Sequence, residues 1–180
     1  MFDSPSLREY NPRAGQAALP AAKVKRVPAS HDGLEAILQV DGASKGNPGP
    51  AGAGVLLTAV AGDVLQELSV PIPHATNNVA EYTALLEGLR AAQRLGLRRI
   101  EVRTDSELLF RQLKGLYRVK NPGLQRLYGQ AVALIDRFEQ CRLCQVPREQ
   151  NVAADKLASA AAAQAAKSSG VRRGQGSLEL

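Results

Sequence analysis

The sequence predicts an α/β layered domain, a five-stranded mixed sheet flanked by helices. Three observations carry that expectation. Three apolar, strand-like runs come first and are joined by short connections, which favours antiparallel neighbours. A fourth such run is reached only through a helical stretch, so it is expected to lie parallel to a strand already laid down. Finally, apolar residues recur at helical spacing between and after the later strands.

In order, "EAILQV" is the first strand, and "GAGVLLTAV" and "VLQELSVPI" follow, joined by a turn at Ala61, Gly62 and Asp63. The stretch "NVAEYTALLEGLRAAQRLG" is a helix with Val79, Tyr82, Leu85, Leu86 and Leu89 on one face and Gly96 as its stop. "RRIEVRT" is the fourth strand. A short helix "SELLFRQLK", the irregular "GLYRVKNPG" and a longer helix from Leu124 to Glu139 come next. A fifth strand, "CRLCQV", precedes an Ala-rich helix from Val152. The order is βββαβααβα. Residues 1–34, rich in Ala, Pro and polar side chains without periodicity, read as a disordered or loosely docked arm. Residues 35–166 form the domain, and 167–180 read as a flexible tail.

Composition narrows the function classes. With 180 residues the chain suits one domain plus tails. Its formal charge of +6 suits a polyanionic partner, although solubility alone would also explain it. No apolar run approaches the roughly 18 residues a membrane span needs, and no secretory signal opens the chain. A cytoplasmic, monomeric protein without membrane contact is expected. Cys141 and Cys144 form a lone CxxC, far in sequence from His31 and His74, so a zinc site lacks ligands. They read as ordinary thiols on a strand, where residues three apart face opposite sides.

Four acids remain, each with an ordinary explanation. Asp41 can close a strand and start a turn. Glu81, three residues after Asn78, can complete a capping box. Asp105 precedes a helix and Asp155 lies in the first turns of another, where acids suit the helix dipole. Together they mean more. Asp41 and Asp105 end strands that in an open α/β sheet face one crevice, and Glu81 and Asp155 begin helices able to lie over it. Four converging carboxylates repel one another unless a cation lies between them. An all-oxygen set suits Mg²⁺ or Mn²⁺. On a basic protein this is the equipment of two-metal phosphodiester cleavage, with one ion activating water and the other stabilising the leaving oxygen.

The segments "VDGASKGNPGPAGAGVLL", "TNNVAEYTALLEGL", "VRTDSELL" and "PREQNVAADKLAS" resemble, in order and spacing, the four acidic motifs of type 1 ribonuclease H. The resemblance covers about residues 36–165. It implies a ribonuclease H-like fold, with Asp41, Glu81, Asp105 and Asp155 as the catalytic acids holding two Mg²⁺ ions, Mn²⁺ being possible. The implied reaction is endonucleolytic hydrolysis of the RNA strand of an RNA–DNA hybrid, leaving 5′-phosphate and 3′-hydroxyl ends. The glycines after Asp41 are expected to let the duplex approach the backbone. RNA is told from DNA by its 2′-hydroxyl in a wide, shallow minor groove. By resemblance Asn47, Asn77 and Asn78 enter that groove, and Thr76 holds a phosphate of the DNA strand, where the family often has Arg in place of His74.

Between Arg90 and Arg126 ten Lys or Arg face three acids. Arg90, Arg94 and Arg98 read as a solvated helix face. Lys114, Arg118 and Lys120, in or beside "GLYRVKNPG", are the expected phosphate contacts. The chain lacks the tryptophan-containing basic handle of many bacterial members and resembles the handle-less branch. Many members also carry a mobile histidine before the last acid; the loop "VPREQNVAAD" has none. Arg148 is the candidate to serve there, by charge stabilisation rather than proton transfer. Two rival readings remain: a nuclease of this fold acting on double-stranded RNA or junctions, and a non-catalytic hybrid-binding module.

Overall fold

The computed structural model describes residues 33–173, so the arm up to residue 32 and residues 174–180 lie outside it. The elements are β1 (Ala36–Ser44), β2 (Gly49–Ala59), β3 (Val64–Ala75), α1 (Asn77–Arg94), β4 (Arg99–Thr104), α2 (Glu107–Leu113), α3 (Pro122–Ile135), β5 (Gln140–Gln145) and α4 (Val152–Arg173), with a 3-10 turn at Arg148–Gln150. The five-stranded sheet has the order β3-β2-β1-β4-β5. The first three strands are antiparallel neighbours, and β4 and β5 run parallel to β1. This is the predicted mixed sheet flanked by helices.

Side chains alternate across the sheet. On one face Leu38, Val40, Val55, Leu57, Ile100 and Val102 are buried in one core with Tyr82, Leu85 and Leu89 of α1 and Phe138. Each large aliphatic side chain so buried contributes about 1.5–3 kcal/mol. The opposite face of β2 receives α4 through small side chains, Ala154, Ala158, Ala161, Ala162 and Ala165. The register pairs Asp41 with Gly54, so both look toward the α4 side.

The structure revises several boundaries. β1 does not end at Asp41 but continues through Ser44, because β2 already begins at Gly49 and its ladder carries Gly42 to Ser44. Two of the glycines after Asp41, Gly42 and Gly54, face the interior of the fold. A Cβ at Gly42 would lie 2.3 Å from the Glu81 backbone nitrogen, and one at Gly54 would lie 2.2 Å from the Ala154 carbonyl oxygen. These two admit α1 and α4. The cap of α1 is Thr76, whose Oγ1 accepts from Val79 N at 3.3 Å, so Asn78 and Glu81 form no capping box.

Since α1 ends at Arg94, Arg98 is not on its face. α3 starts at Pro122 because Asn121 Oδ1 caps it, accepting from Leu124 N at 3.1 Å, and a proline suits the first position. It ends at Ile135, after which the chain turns to bury Phe138. α4 runs past Lys167 to Arg173.

Candidate active site

One cavity of about 420 Å³ is lined by Asp41, Glu81, Asp105 and Asp155, together with Ser44, Asn77, Ser106, Arg148 and Ser159. Four separate elements deliver the acids. Asp41 comes from within β1 and is buried. Glu81 comes from α1, seated against β1 by the missing side chain at Gly42, and is also buried. Asp105 follows the last residue of β4 and precedes Ser106, which caps α2 by accepting from Leu109 N at 3.3 Å. Asp155 lies in the first turn of α4, held near Asp41 because Gly54 and Gly52 let that helix touch the sheet backbone.

The cost of this convergence appears in the acids themselves. Burial, then the charges of Asp105 and Asp155, push the Asp41 carboxyl up to about 7, with the Gly42 N–H and Arg148 acting in the opposite sense. Burial again, then Asp41 and Asp105, hold Glu81 well above its usual range. Glu81 Oε2 is buried with no hydrogen-bond partner among the described residues. An all-oxygen donor set with strained charges fits a hard divalent cation. As they stand, however, no three acidic, histidine or cysteine side chains among the described residues are close enough to grip one ion. Two of the acids are engaged elsewhere. Arg148 Nη2 donates to Asp155 Oδ1 at 2.9 Å, and Asn151 Nδ2 donates to Asp105 Oδ1 at 2.7 Å.

Asn151 went unnoticed in the sequence. It is fully buried, and the same nitrogen also donates to the Val40 carbonyl at 2.9 Å. Beside it Gln39 Nε2 donates to the Gln150 carbonyl at 2.8 Å, fastening the 3-10 turn to β1. The available signal was a lone Asn four residues before an acid, inside a motif already singled out.

A family model described as reverse transcriptase-like matches residues 39–161. The N-terminal ribonuclease H domain of Rv2228c from Mycobacterium tuberculosis, solved as a fusion with maltose-binding protein, is 43% identical, with a TM-score of 0.73 over 75% of this chain and 98% of that one. The chain belongs to the ribonuclease H family. The ribonuclease H1 of the archaeon Halobacterium salinarum is 41% identical, with a TM-score of 0.68 over 70% of this chain and 96% of that one. LC11-RNase H1, isolated from compost and solved with an RNA/DNA hybrid, is 40% identical, with a TM-score of 0.69 over 73% and 99% of the two chains. Some relatives are longer: the matched region spans 37% of the full bifunctional protein Rv2228c and 61% of the Halobacterium ribonuclease HI sequence.

The remaining candidate residues of this ribonuclease H relative fall into two groups. Asn47, Thr76, Asn77 and Asn78 gather where the β1–β2 loop meets the start of α1. There Asn47 Oδ1 accepts from Asn77 N at 3.1 Å, and Asn77 also lines the carboxylate cavity. Lys114, Arg118 and Lys120 are exposed between α2 and α3, and none lines that cavity. Arg118 borders a separate hollow of about 510 Å³ with Leu116, Tyr117 and Tyr128. Of the three arginines read as a solvated face, Arg90 pairs with Glu87 at 2.7 Å and Arg98 with Glu139 at 2.9 Å. Cys141 and Cys144 are free thiols on β5, opposite Ile100 and Arg103 respectively. No helix of the described residues is long and apolar enough to cross a membrane.

Proposed function

We propose that this chain is an endoribonuclease that hydrolyses the RNA strand of RNA–DNA hybrids, leaving 5′-phosphate and 3′-hydroxyl ends and using two Mg²⁺ ions, with Mn²⁺ as an alternative. The observation that carries the reading is the lining of one cavity by four carboxylates from four elements, two of them buried and held above their usual proton affinities. Binding alone gains nothing from so repulsive a cluster, which argues against a non-catalytic module. The hybrid-bound structure of LC11-RNase H1 supports the choice of substrate.

Asp41, Glu81, Asp105 and Asp155 would hold the ions. Bound there, the pair would supply a water nucleophile at neutral pH and a counter-charge for the leaving 3′-oxygen. The protein's own part is orientation and charge. Asn47, Asn77 and Asn78, beside the cavity, offer short amides suited to the 2′-hydroxyl, and Thr76 offers a hydroxyl for a DNA-strand phosphate. Lys114, Arg118 and Lys120 would meet phosphates further along the duplex. Arg148, three-quarters exposed, can swing from Asp155 to the phosphate as negative charge develops there. Incubation with matched RNA–DNA, RNA–RNA and DNA–DNA duplexes and Mg²⁺ tests the reading. Cleavage confined to the RNA of the hybrid is expected, and preferential cutting of RNA–RNA would redirect it to a different nuclease.

A further inference from the structure

We infer that Asn151 is the positioning residue for Asp105, holding one carboxylate oxygen so that the acid presents the other to the site. The inference rests on the proposed function and adds to it a residue outside the four acids. Asn151 is fully buried, and its single amide nitrogen makes two donations, to the Val40 carbonyl at 2.9 Å and to Asp105 Oδ1 at 2.7 Å. Its backbone carbonyl accepts from Asp155 N at 3.1 Å. One residue therefore touches the strand immediately before Asp41, the Asp105 side chain and the backbone of Asp155. These three acids come from parts of the chain otherwise far apart in sequence.

The chemistry of the side chain explains why an amide stands there. Two N–H groups on one neutral nitrogen serve a carbonyl and a carboxylate at once. The opposite amide orientation would set oxygen against oxygen at both contacts, so the donors are assigned by their partners. A lysine would bring a positive charge into competition with a cation, a serine has one donor, and an aspartate would repel Asp105. Asn151 Oδ1 is buried with no partner among the described residues, a cost that packing alone gives no reason to carry. With Oδ1 of Asp105 committed to Asn151, Oδ2 is the oxygen left to bind a metal. Partners of this kind orient a ligand without touching the metal.

The test uses the full chain and three readouts: Mg²⁺ affinity by calorimetry, kcat and KM on a hybrid, and stability by urea denaturation. In Asn151→Ala, assayed where it is folded, Mg²⁺ affinity and kcat should each fall about 10- to 100-fold while KM for the hybrid stays within about twofold. Asn151→Asp should be worse, and the exchange Asp105→Asn with Asn151→Asp should recover stability relative to Asn151→Asp but not Mg²⁺ affinity. If Asn151→Ala does not fold, Asn151→Ser, which keeps one donor, is held to the same outcomes. Unchanged Mg²⁺ affinity and kcat in a folded variant would overturn the inference while leaving the proposed function standing. A wild-type protein that neither binds Mg²⁺ nor cuts hybrids would overturn both.

Discussion

Arg148 Nη2 donates to Asp155 Oδ1 at 2.9 Å, so the acid carried by α4 meets the cavity already paired with a cation. The arginine is three-quarters exposed and its partner about one-third. So exposed a pair contributes little to stability, and its interest lies in the positive charge it places at the rim of the carboxylate cavity.

Arg148→Ala should therefore reduce turnover more than hybrid affinity. A loss of about 10- to 100-fold corresponds to roughly 1.4–2.8 kcal/mol of transition-state stabilisation. Arg148→His should recover part of the rate and add a pH dependence between about 6 and 8, which arginine cannot impose. Single-turnover cleavage and hybrid binding measure both effects. Unchanged values in Arg148→Ala would remove the residue from the mechanism.

The carboxylate cluster makes stability of the metal-free protein depend on pH in a definite direction. Folded Asp41 keeps its proton up to about pH 7, whereas its ordinary value is 3.8. Between those values the folded state binds more protons than the unfolded one, so stability falls as pH rises and the loss is complete above about 7. Glu81 acts in the same direction. In EDTA, melting temperature should be higher at pH 5 than at pH 8, and Asp41→Asn should flatten the trend and add about 1 kcal/mol at pH 8. Mg²⁺ should restore wild type at pH 8 more than the variant. An equal Mg²⁺ response in both would contradict the clustering.

Gly54→Ala tests how the acids are brought together. The new Cβ would meet the Ala154 carbonyl oxygen at 2.2 Å and the Ala158 nitrogen at 2.4 Å, so α4 must move away from β2. A destabilisation of about 1–3 kcal/mol is expected, together with weaker Mg²⁺ binding because Asp155 travels with the helix. Urea denaturation and calorimetry check the two parts. A variant with native stability would show that the close approach is dispensable.

Much of this architecture was legible in the sequence because it is written in local periodicity. Apolar runs in β1 to β3, helical spacing in α1 and the short turn at Ala61 to Asp63 are enough to order the elements and to pair the first three strands. What escaped depends on partners remote in the chain. Nothing local in the sequence shows that Gly42 and Gly54 are contact points, since the backbones that press on them belong to α1 and α4. Asn151 was silent because its two acceptors, Val40 and Asp105, lie 111 and 46 residues away. Thr76 was readable as a cap, but the Asn78–Glu81 spacing offered a competing box two residues later. The four acids stood out only as a set.

The most direct measurement is single-turnover cleavage of an RNA–DNA hybrid by wild type, Asp41→Asn and Asp105→Asn at one Mg²⁺ concentration, with hybrid binding measured alongside. Each substitution replaces a proposed metal-binding carboxyl by an amide with almost no change in side-chain size. Cleavage should disappear in both variants while hybrid affinity stays near that of wild type, because the proposed groove contacts, Asn47, Asn77 and Asn78, are untouched. Near-native turnover in either variant would show that these carboxylates do not carry the chemistry.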